Sequence, residues 1–434
     1  MHVFLGIVVI FTVLVGIVSK RMSPIVALAV APFLAAVLGL GYSPTEASSF
    51  VVEGLRAIIP VTAMIIFAIL FFGVVSDAGV MDPLIAKILK SVGFRPTRIT
   101  LGTALLALII HLDGSGAITI LLTVPAMMPL YEHLGMDRRI LACIIAMASG
   151  INFLPWTAPM LRASIVLNTS PTTIFMPLLP VQIAGLALMF YLSWRFGKSE
   201  EKRLGLTEAE CNAPAPQYTL TEKQLTTRRP KLFWFNVILT LCVIFGMISH
   251  IVDAVVAFML GLALALMVNY PDVQEQMKRL EAHARTALLL GSILLSAGAF
   301  VGIMQKTGMI TAMAMALVNI IPQGMESHMP FLMAFFSVPI SHFFDPDSFY
   351  FGVLPVVAES YRVLGGDPLL VGRAAVMGVF STGYGTSPLT PSCFLLIGMT
   401  RLSLADHQRF TFPYLWLCGI FMTFVAAALG VFPW

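Results

Sequence analysis

Apolar runs of close to twenty residues recur along the whole chain, and they leave few folds open. A helix of ~20 apolar residues crosses a ~30 Å hydrocarbon core. Inside that core only helices or closed barrels satisfy their own backbone hydrogen bonds. Charged residues make up 11% of the 434 positions and apolar ones 58%, whereas a soluble domain carries about 25% charge. The pattern is that of an all-α polytopic membrane protein. The first run, His2 to Ser19, has no basic segment before it and no small-residue cleavage site after it. It reads as a retained span and not as a signal peptide.

The net charge of +4 is small, and the basic residues sit in short loops, where they report topology. Nothing suggests a nucleic-acid partner. The five cysteines (Cys143, Cys211, Cys242, Cys393, Cys418) show neither paired nor metal-ligand spacing. Most fall in apolar spans, where cysteine acts as a small packing residue.

Three spans open the chain, near 2–19, 24–41 and 57–76, followed by an amphipathic segment at 81–92. The run 98–131 is interrupted by LDGSG (112–116). Its two arms of about 13–16 residues are too short to cross the core at 1.5 Å per residue, so it reads as a re-entrant hairpin. The next run, 139–168, is broken by NFLPWTAP (152–159), whose prolines deny backbone hydrogen bonds in mid-span. A span at 172–195 and a polar linker at 196–231 follow. The second half repeats the plan. Its spans lie near 232–249, 253–270 and 286–304, with a weakly polar helix near 309–321. A hairpin at 329–361 carries HFFDPDS at its tip, a broken run at 369–400 contains STGYGTSPLTP, and a last span covers 411–432.

The halves 1–195 and 232–434 also align by residue. VPAMMPLYEHLGMD (124–137) matches LPVVAESYRVLGGD (354–367), HLDGSGA matches HFFDPDS, and FGVVSDAGVM matches FVGIMQKTGMI, all in the same order. Basic residues fix the orientation. Lys198, Lys202, Arg203, Lys223, Arg228, Arg229 and Lys231 place the linker in the cytoplasm and both termini outside; Lys306 and Arg362 run against the rule. The two hairpins then enter from opposite sides. The expected fold is two inverted-topology repeats, with about 10 spanning helices, two re-entrant hairpins and two broken helices, an architecture of secondary transporters.

Each tip is expected to meet the broken helix of its own half. That juxtaposes Asp113 and Ser115 with Asn152 and Thr157, and Asp345, Asp347 and Ser348 with Ser381, Thr382, Thr386 and Ser387. Broken helices offer carbonyls to cations and amides to carboxylates, and hard cations take oxygen ligands. An intramembrane carboxylate needs a partner, so Asp113, Asp345 and Asp347, with Ser348, are the candidate ion or proton sites; Asp113 and Asp345 are also candidate metal ligands. The serines and threonines serve either as substrate contacts or as caps. Arg162, one turn past the first break, either binds a substrate carboxylate or reaches to the outer face. His111 and His342 precede the tips and read either as proton carriers or as hydrogen-bonded structural residues.

Several of these segments resemble the citrate–metal/proton symporter family of the ion transporter superfamily: MIIFAILFFGVVSDAGVMDPLIAKIL (64–89), LDGSG, VPAMMPLY, NFLPWTAP, FYFGVLPVV, GTSPLTPSCFLLIG and DHQRFTF. The resemblance runs along nearly the whole chain except the linker. It implies proton-driven uptake of citrate complexed to Mg²⁺ or Ca²⁺, no covalent cofactor, a dimer with a scaffold and a moving transport domain, and a bacterial cytoplasmic (inner) membrane location. Two motifs depart from the family pattern. Ser115 stands at the second acidic place of LDGDG, and Thr157 and Ala158 replace the glycines of PWGGP. A missing tip carboxylate would lower divalent-cation dependence.

The leading reading is a symporter for a di- or tricarboxylate, free or metal-complexed. The alternatives are a sodium-coupled dicarboxylate carrier or antiporter of the same superfamily, and a channel. No HExxH motif, nucleophile elbow or paired intramembrane acid motif marks an enzyme. The orientation makes a direct prediction for Cys211. A membrane-impermeant thiol reagent will label it only after cells are permeabilised; labelling in intact cells would reverse the topology.

Overall fold

The computed structural model describes residues 1–205, 226–249, 251–322 and 324–434, and among these it is helical with no strand. The first half contains α1 (His2–Val18), α2 (Pro24–Leu34), α3 (Pro44–Asp77), α4 (Met81–Val92), α5 (Pro96–Ile110), α6 (Gly116–Leu134), α7 (Arg138–Ile151), α8 (Ala158–Val166) and α9 (Pro171–Leu204). The second contains α10 (Phe233–Ile248), α11 (Ala254–Asn269), α12 (Val273–Lys306), α13 (Met309–Val318), α14 (Met329–Ile340), α15 (Leu354–Val363), α16 (Pro368–Met377), α17 (Pro391–Thr400) and α18 (Leu404–Ala428). The two series correspond helix for helix.

Local chemistry explains the boundaries. Ser23, Asp137 and Ser170 cap α2, α7 and α9, and Asp253, Asp367 and Ser403 cap their counterparts α11, α16 and α18. Each cap side chain accepts an orphan amide of the first turn. Ser43 and Glu46 form a full capping box before α3. Gly135 closes α6 at φ +66 and Gly365 follows α15 at φ +89, left-handed positions that suit glycine.

α3 and α12 form the centre. Gly54 near the start of α3 lies against Gly298 and Gly302 near the end of α12, and Gly73 at the other end of α3 lies against His283. The pair is therefore antiparallel. A helix that crosses its own duplicate in antiparallel fashion is what inverted repeats produce. Glu53 and Lys306 clasp one end of the crossing, and Asp77 with Arg279 and His283 clasps the other. α11 packs on α3 and α2 on α12, again in symmetry. A second body gathers α5, α7 and α9 with α14, α16 and α18.

Among the described residues, six helices are long and apolar enough to cross a membrane: Pro44–Asp77, Gly116–Leu134, Pro171–Leu204, Pro230–Ile248, Val273–Lys306 and Leu404–Ala428. α1, α2 and α11 are apolar but shorter. Several boundaries differ from the hydropathy reading. α3 starts near 44 and α12 near 273, well before their apolar stretches, because capped polar turns extend them. α6 is 19 residues long and exceeds the expected arm length, since it continues through Pro125 and Pro129 to Gly135. The expected linker at 196–231 begins as helix. α9 continues to Leu204, with Glu200 accepting the Asp137 amide and pairing with Arg203, and Glu201 pairing with Lys198 and Arg95. Ion pairs sustain that polar turn where hydropathy gives no signal. Cys211 and Lys223 lie outside the described residues.

The α3–α12 crossing is a test of the fold. A Cβ on Gly54 would lie 2.1 Å from the Gly298 carbonyl oxygen, whereas one on Gly246 meets nothing within 4 Å. Gly54→Val should cost about 1–3 kcal/mol or more and lower the unfolding temperature in detergent. Gly246→Val should leave it nearly unchanged.

Candidate functional site

The two breaks meet each other. Gly150, in the last turn of α7, lies against the backbone of Ser381 and Thr382, close enough that a Cβ there would sit 2.9 Å from the Ser381 carbonyl oxygen. Gly385 rests likewise on Ala146, and Gly116 on the Tyr384 ring. Between the breaks lies a cavity of about 160 Å³ lined by His111, Gly114, Gly116, Ser149, Gly150, Asn152, Phe153, Thr157–Pro159, Phe380, Ser381, Tyr384 and Ser392.

Two polar groups on this lining have no protein partner. Asn152 is 3% exposed and Ser381 5%, and the Asn152 Nδ2 amide and the Ser381 hydroxyl are both unsatisfied. A buried unpaired donor costs about 1–3 kcal/mol, so each is positioned for something that binds here. Two helix N-termini also reach the cavity. Thr157 precedes α8 and Thr390 precedes α17, and neither side chain caps its helix. Ala158, Pro159 and Ser392 of those first turns are on the lining. The amides of Ala158 and Ser392 and the positive ends of the dipoles favour an anion.

His111 is buried and bonds Thr119 through Nδ1 at 2.9 Å. The Thr119 hydroxyl donates its one proton to the Ser115 carbonyl at 2.8 Å, so Nδ1–H is the donor to Thr119. In the neutral ring Nε2 then carries the lone pair. No lysine, arginine, aspartate or glutamate lines the cavity.

Of the residues singled out from sequence, Asn152, Thr157, Ser381 and His111 line this cavity. The others do different work. Ser115 caps α6 by accepting the Ile118 amide, and Asp113 accepts the Ser115 amide at 2.8 Å. Asp113 lines a separate apolar cavity bounded by Phe72, Ile109 and Leu241. Asp345 accepts the Asp347 and Ser348 amides and the Ser348 hydroxyl, which closes the second tip. Thr382 donates to the Met377 carbonyl, Thr386 weakly to Gly383, and Ser387 to Ser341. His342 donates through Nδ1 to the Val338 carbonyl at 3.2 Å and packs its ring edge-on to Phe412. Arg162 neither reaches the outer face nor lines the cavity. Its Nε donates to Asp347 Oδ1 at 2.8 Å, with both side chains 9% exposed. Each tip does meet its own break, as expected: Trp156 Nε1–H donates to the Leu112 carbonyl, and the Phe380 amide donates to the Ser341 hydroxyl.

Sequence reasoning missed the residues that hold the breaks from behind. Gln182 of α9 donates to Asn152 Oδ1 at 3.0 Å and so turns the Asn152 amide group to the cavity. His407 and Gln408 of α18 donate to the carbonyls of Gly385 and Thr386. The signal was present: a glutamine and a histidine within spans need polar partners. Ser149 and Tyr384, hydrogen-bonded to each other, were also missed.

A larger cavity of about 530 Å³ lies between α3, the 168–172 loop and the 252–255 turn, and no residue of either break lines it. Among the described residues no group of three or more His, Cys, Asp or Glu side chains could hold a metal ion, and Asp113 and Asp345 are engaged as tip caps.

A citrate transporter family model matches residues 7–378. The chain belongs to that family. It is 40% identical to a citrate transporter of Bacillus subtilis (strain 168) over 99% of both chains. It is 36% identical, again over 99% of both, to that organism's Mg(2+)/citrate complex secondary transporter. Among solved structures it resembles the Alcanivorax borkumensis YdaH transporter, with TM-score 0.63 and 14% identity over 87% of this chain and 86% of that one. Neisseria gonorrhoeae MtrF gives TM-score 0.60 and 12% identity over 98% and 94%. These two likenesses concern the fold. The citrate transporter family is one of membrane transporters, so the chain is a transmembrane transporter and not an enzyme.

The supports behind the breaks can be tested. His407→Phe leaves the Gly385 carbonyl unpaired, a loss of about 1–3 kcal/mol, and should reduce transport at least tenfold at normal expression. His407→Gln, which keeps a donor, should recover part of it. Equal activity of both variants would remove this role.

Proposed function

We propose that the protein is a secondary transporter that imports citrate as a complex with a divalent metal ion, in symport with protons. The observation that carries this reading is the neutral lining of the central cavity. It offers amide, hydroxyl and imidazole groups and two helix N-termini, and no cationic side chain. Arg162 lies close by and is already neutralised by Asp347. A bare tricarboxylate brought there would be badly undercompensated in a low-dielectric setting. A metal ion bound to the citrate removes most of that charge before entry. The metal is then cargo, held by the citrate, which agrees with the lack of a protein metal cluster among the described residues. The relative named for the Mg²⁺–citrate complex supports the same substrate.

At about 160 Å³ the cavity is small against ~300–1,000 Å³ for common ligand sites, so the breaks must part to admit substrate. We place the protein in the bacterial inner membrane as a homodimer, with both termini outside and the 196–231 linker in the cytoplasm. The antiparallel α3–α12 pair serves as scaffold. The body of α5–α9 and α14–α18 carries the site past it in an elevator-type movement. Trp156 of the first break packs at a tilt against Phe72 of α3 and edge-on to Phe258 of α11, a contact that such a movement must slide.

Uptake of radiolabelled citrate into right-side-out vesicles tests this. Uptake should require Mg²⁺ or Ca²⁺ and rise with an inward proton gradient. Sodium-driven uptake in the presence of a chelator would assign a sodium-coupled carrier of free carboxylate instead, and equilibration without accumulation would assign a channel. Ser115 sits outside the cavity and its hydroxyl caps α6. Aspartate caps equally well, so Ser115→Asp should leave the Mg²⁺ titration unchanged. A stronger Mg²⁺ dependence would instead place this position near the cargo metal.

A further inference from the structure

The pair between Arg162 and Asp347 is unusual in two respects. It joins the short half-helix α8 of the first half to the hairpin tip of the second, 185 residues away in sequence. It is also nearly dry, and a buried ion pair of this kind contributes little net stability over an apolar one. Its position suggests what it does. Ala158 and Pro159 are on the cavity wall. Arg162 lies four and three residues further along α8, so it shares their face, about 6 Å along the helix axis. The lining itself has no guanidinium, and that of Arg162, one turn along the same face, is held by an internal carboxylate.

We propose that this pair is the coupling switch of the carrier. Arrival of the metal–citrate complex draws the Arg162 guanidinium from Asp347 to a substrate carboxylate, and a proton from solution takes its place on the Asp347 carboxylate. The inference rests on the metal–citrate reading above. Charges balance: Arg162 keeps its charge throughout, one N–H···O bond is exchanged for another, and the proton forms an O–H bond on Asp347. A carboxylate left buried without its partner costs several kcal/mol, so the substrate and the proton bind together or not at all. That linkage is what symport requires. The surroundings supply no competing partner. The charged group nearest on the same tip is Asp345, which already accepts two amides and a hydroxyl. Tyr350, one turn on, donates to the Val379 carbonyl. α1 from Val3 to Val18 and α12 from Thr286 to Gln305, which also pack on this turn, carry no charged residue.

Calorimetric titration of the full-length protein with Mg²⁺–citrate, in buffers of different ionisation enthalpy between about pH 5 and 8, counts the protons exchanged on binding. The wild type should take up about one proton more per citrate than Asp347→Asn. Wild-type affinity should fall up to about tenfold per pH unit, and Asp347→Asn should lose that slope. Asp347→Glu, which keeps the carboxylate, should retain the uptake. The same proton count and slope in the wild type and Asp347→Asn would overturn the switch. So would absence of proton uptake in the wild type alone, whatever the variants do. Failure of the wild type to bind Mg²⁺–citrate at any pH would instead overturn the substrate reading, and the switch with it.

Discussion

A chain that stops being helical inside a membrane leaves amides and carbonyls that no water will satisfy. Everything characteristic of this protein follows from how the freed groups at its two breaks are satisfied. Side chains from neighbouring helices do it. Trp156 turns back to the Leu112 carbonyl, Tyr350 and His407 reach the carbonyls of Val379 and Gly385, and Ser387 donates to Ser341. Glycine removes the steric barrier where the breaks touch, with Gly150 on Thr382 and Gly385 on Ala146. Among the described residues, two buried side-chain groups on the cavity wall stay without a partner, the Asn152 amide and the Ser381 hydroxyl, beside the uncapped N-termini of α8 and α17. The candidate site lies where the two breaks meet.

Much of this plan was legible in the sequence. Proline, glycine and aspartate inside apolar runs located both tips and both breaks to within a few residues, and the amphipathic stretch 81–92 coincides with α4. The paired halves were legible because capping chemistry repeats with the spans, as Asp137 and Asp367 show. The polar first turns of α3 and α12 and the last turns of α9 were not, because ion pairs and caps sustain them and a hydropathy window sees only apolar length. The lining of the candidate site was half legible. Asn152, Thr157, Ser381 and His111 stand on the cavity wall as polar residues at breaks should. The partners of Arg162 and Asn152 were hidden, since nothing local ties Arg162 to Asp347 or Asn152 to Gln182. Long-range pairing leaves no trace in spacing.

The aspartates teach a narrower lesson. An intramembrane carboxylate signals a need for partners, and backbone amides meet that need as well as a cation does. Asp113 and Asp345 both take that solution at their tips. Asp347 is the one whose carboxylate meets a buried cation.

Duplication alone would give two equivalent sites, and the packing shows why there is one. α8 leans on α15 and α16 of the second half, and α17 leans on α6 and α7 of the first. Each half-helix thus completes the other half's wall, and the breaks share a single cavity. Once shared, the two contributions were free to diverge. The first half brings the amide of Asn152 and the imidazole of His111, while the second brings the hydroxyls of Ser381 and Ser392 and the Tyr384 ring. The charge is divided as unevenly. α8 carries Arg162 and faces a tip with Asp347, while α17 from Pro391 to Thr400 carries no charged residue and faces a tip with Ser115. A tip carboxylate is satisfied either by backbone amides, as Asp113 is by the Ser115 amide, or by an arginine opposite, as Asp347 is. The serine at position 115 caps α6 without adding a second carboxylate to the tip that faces the uncharged α17.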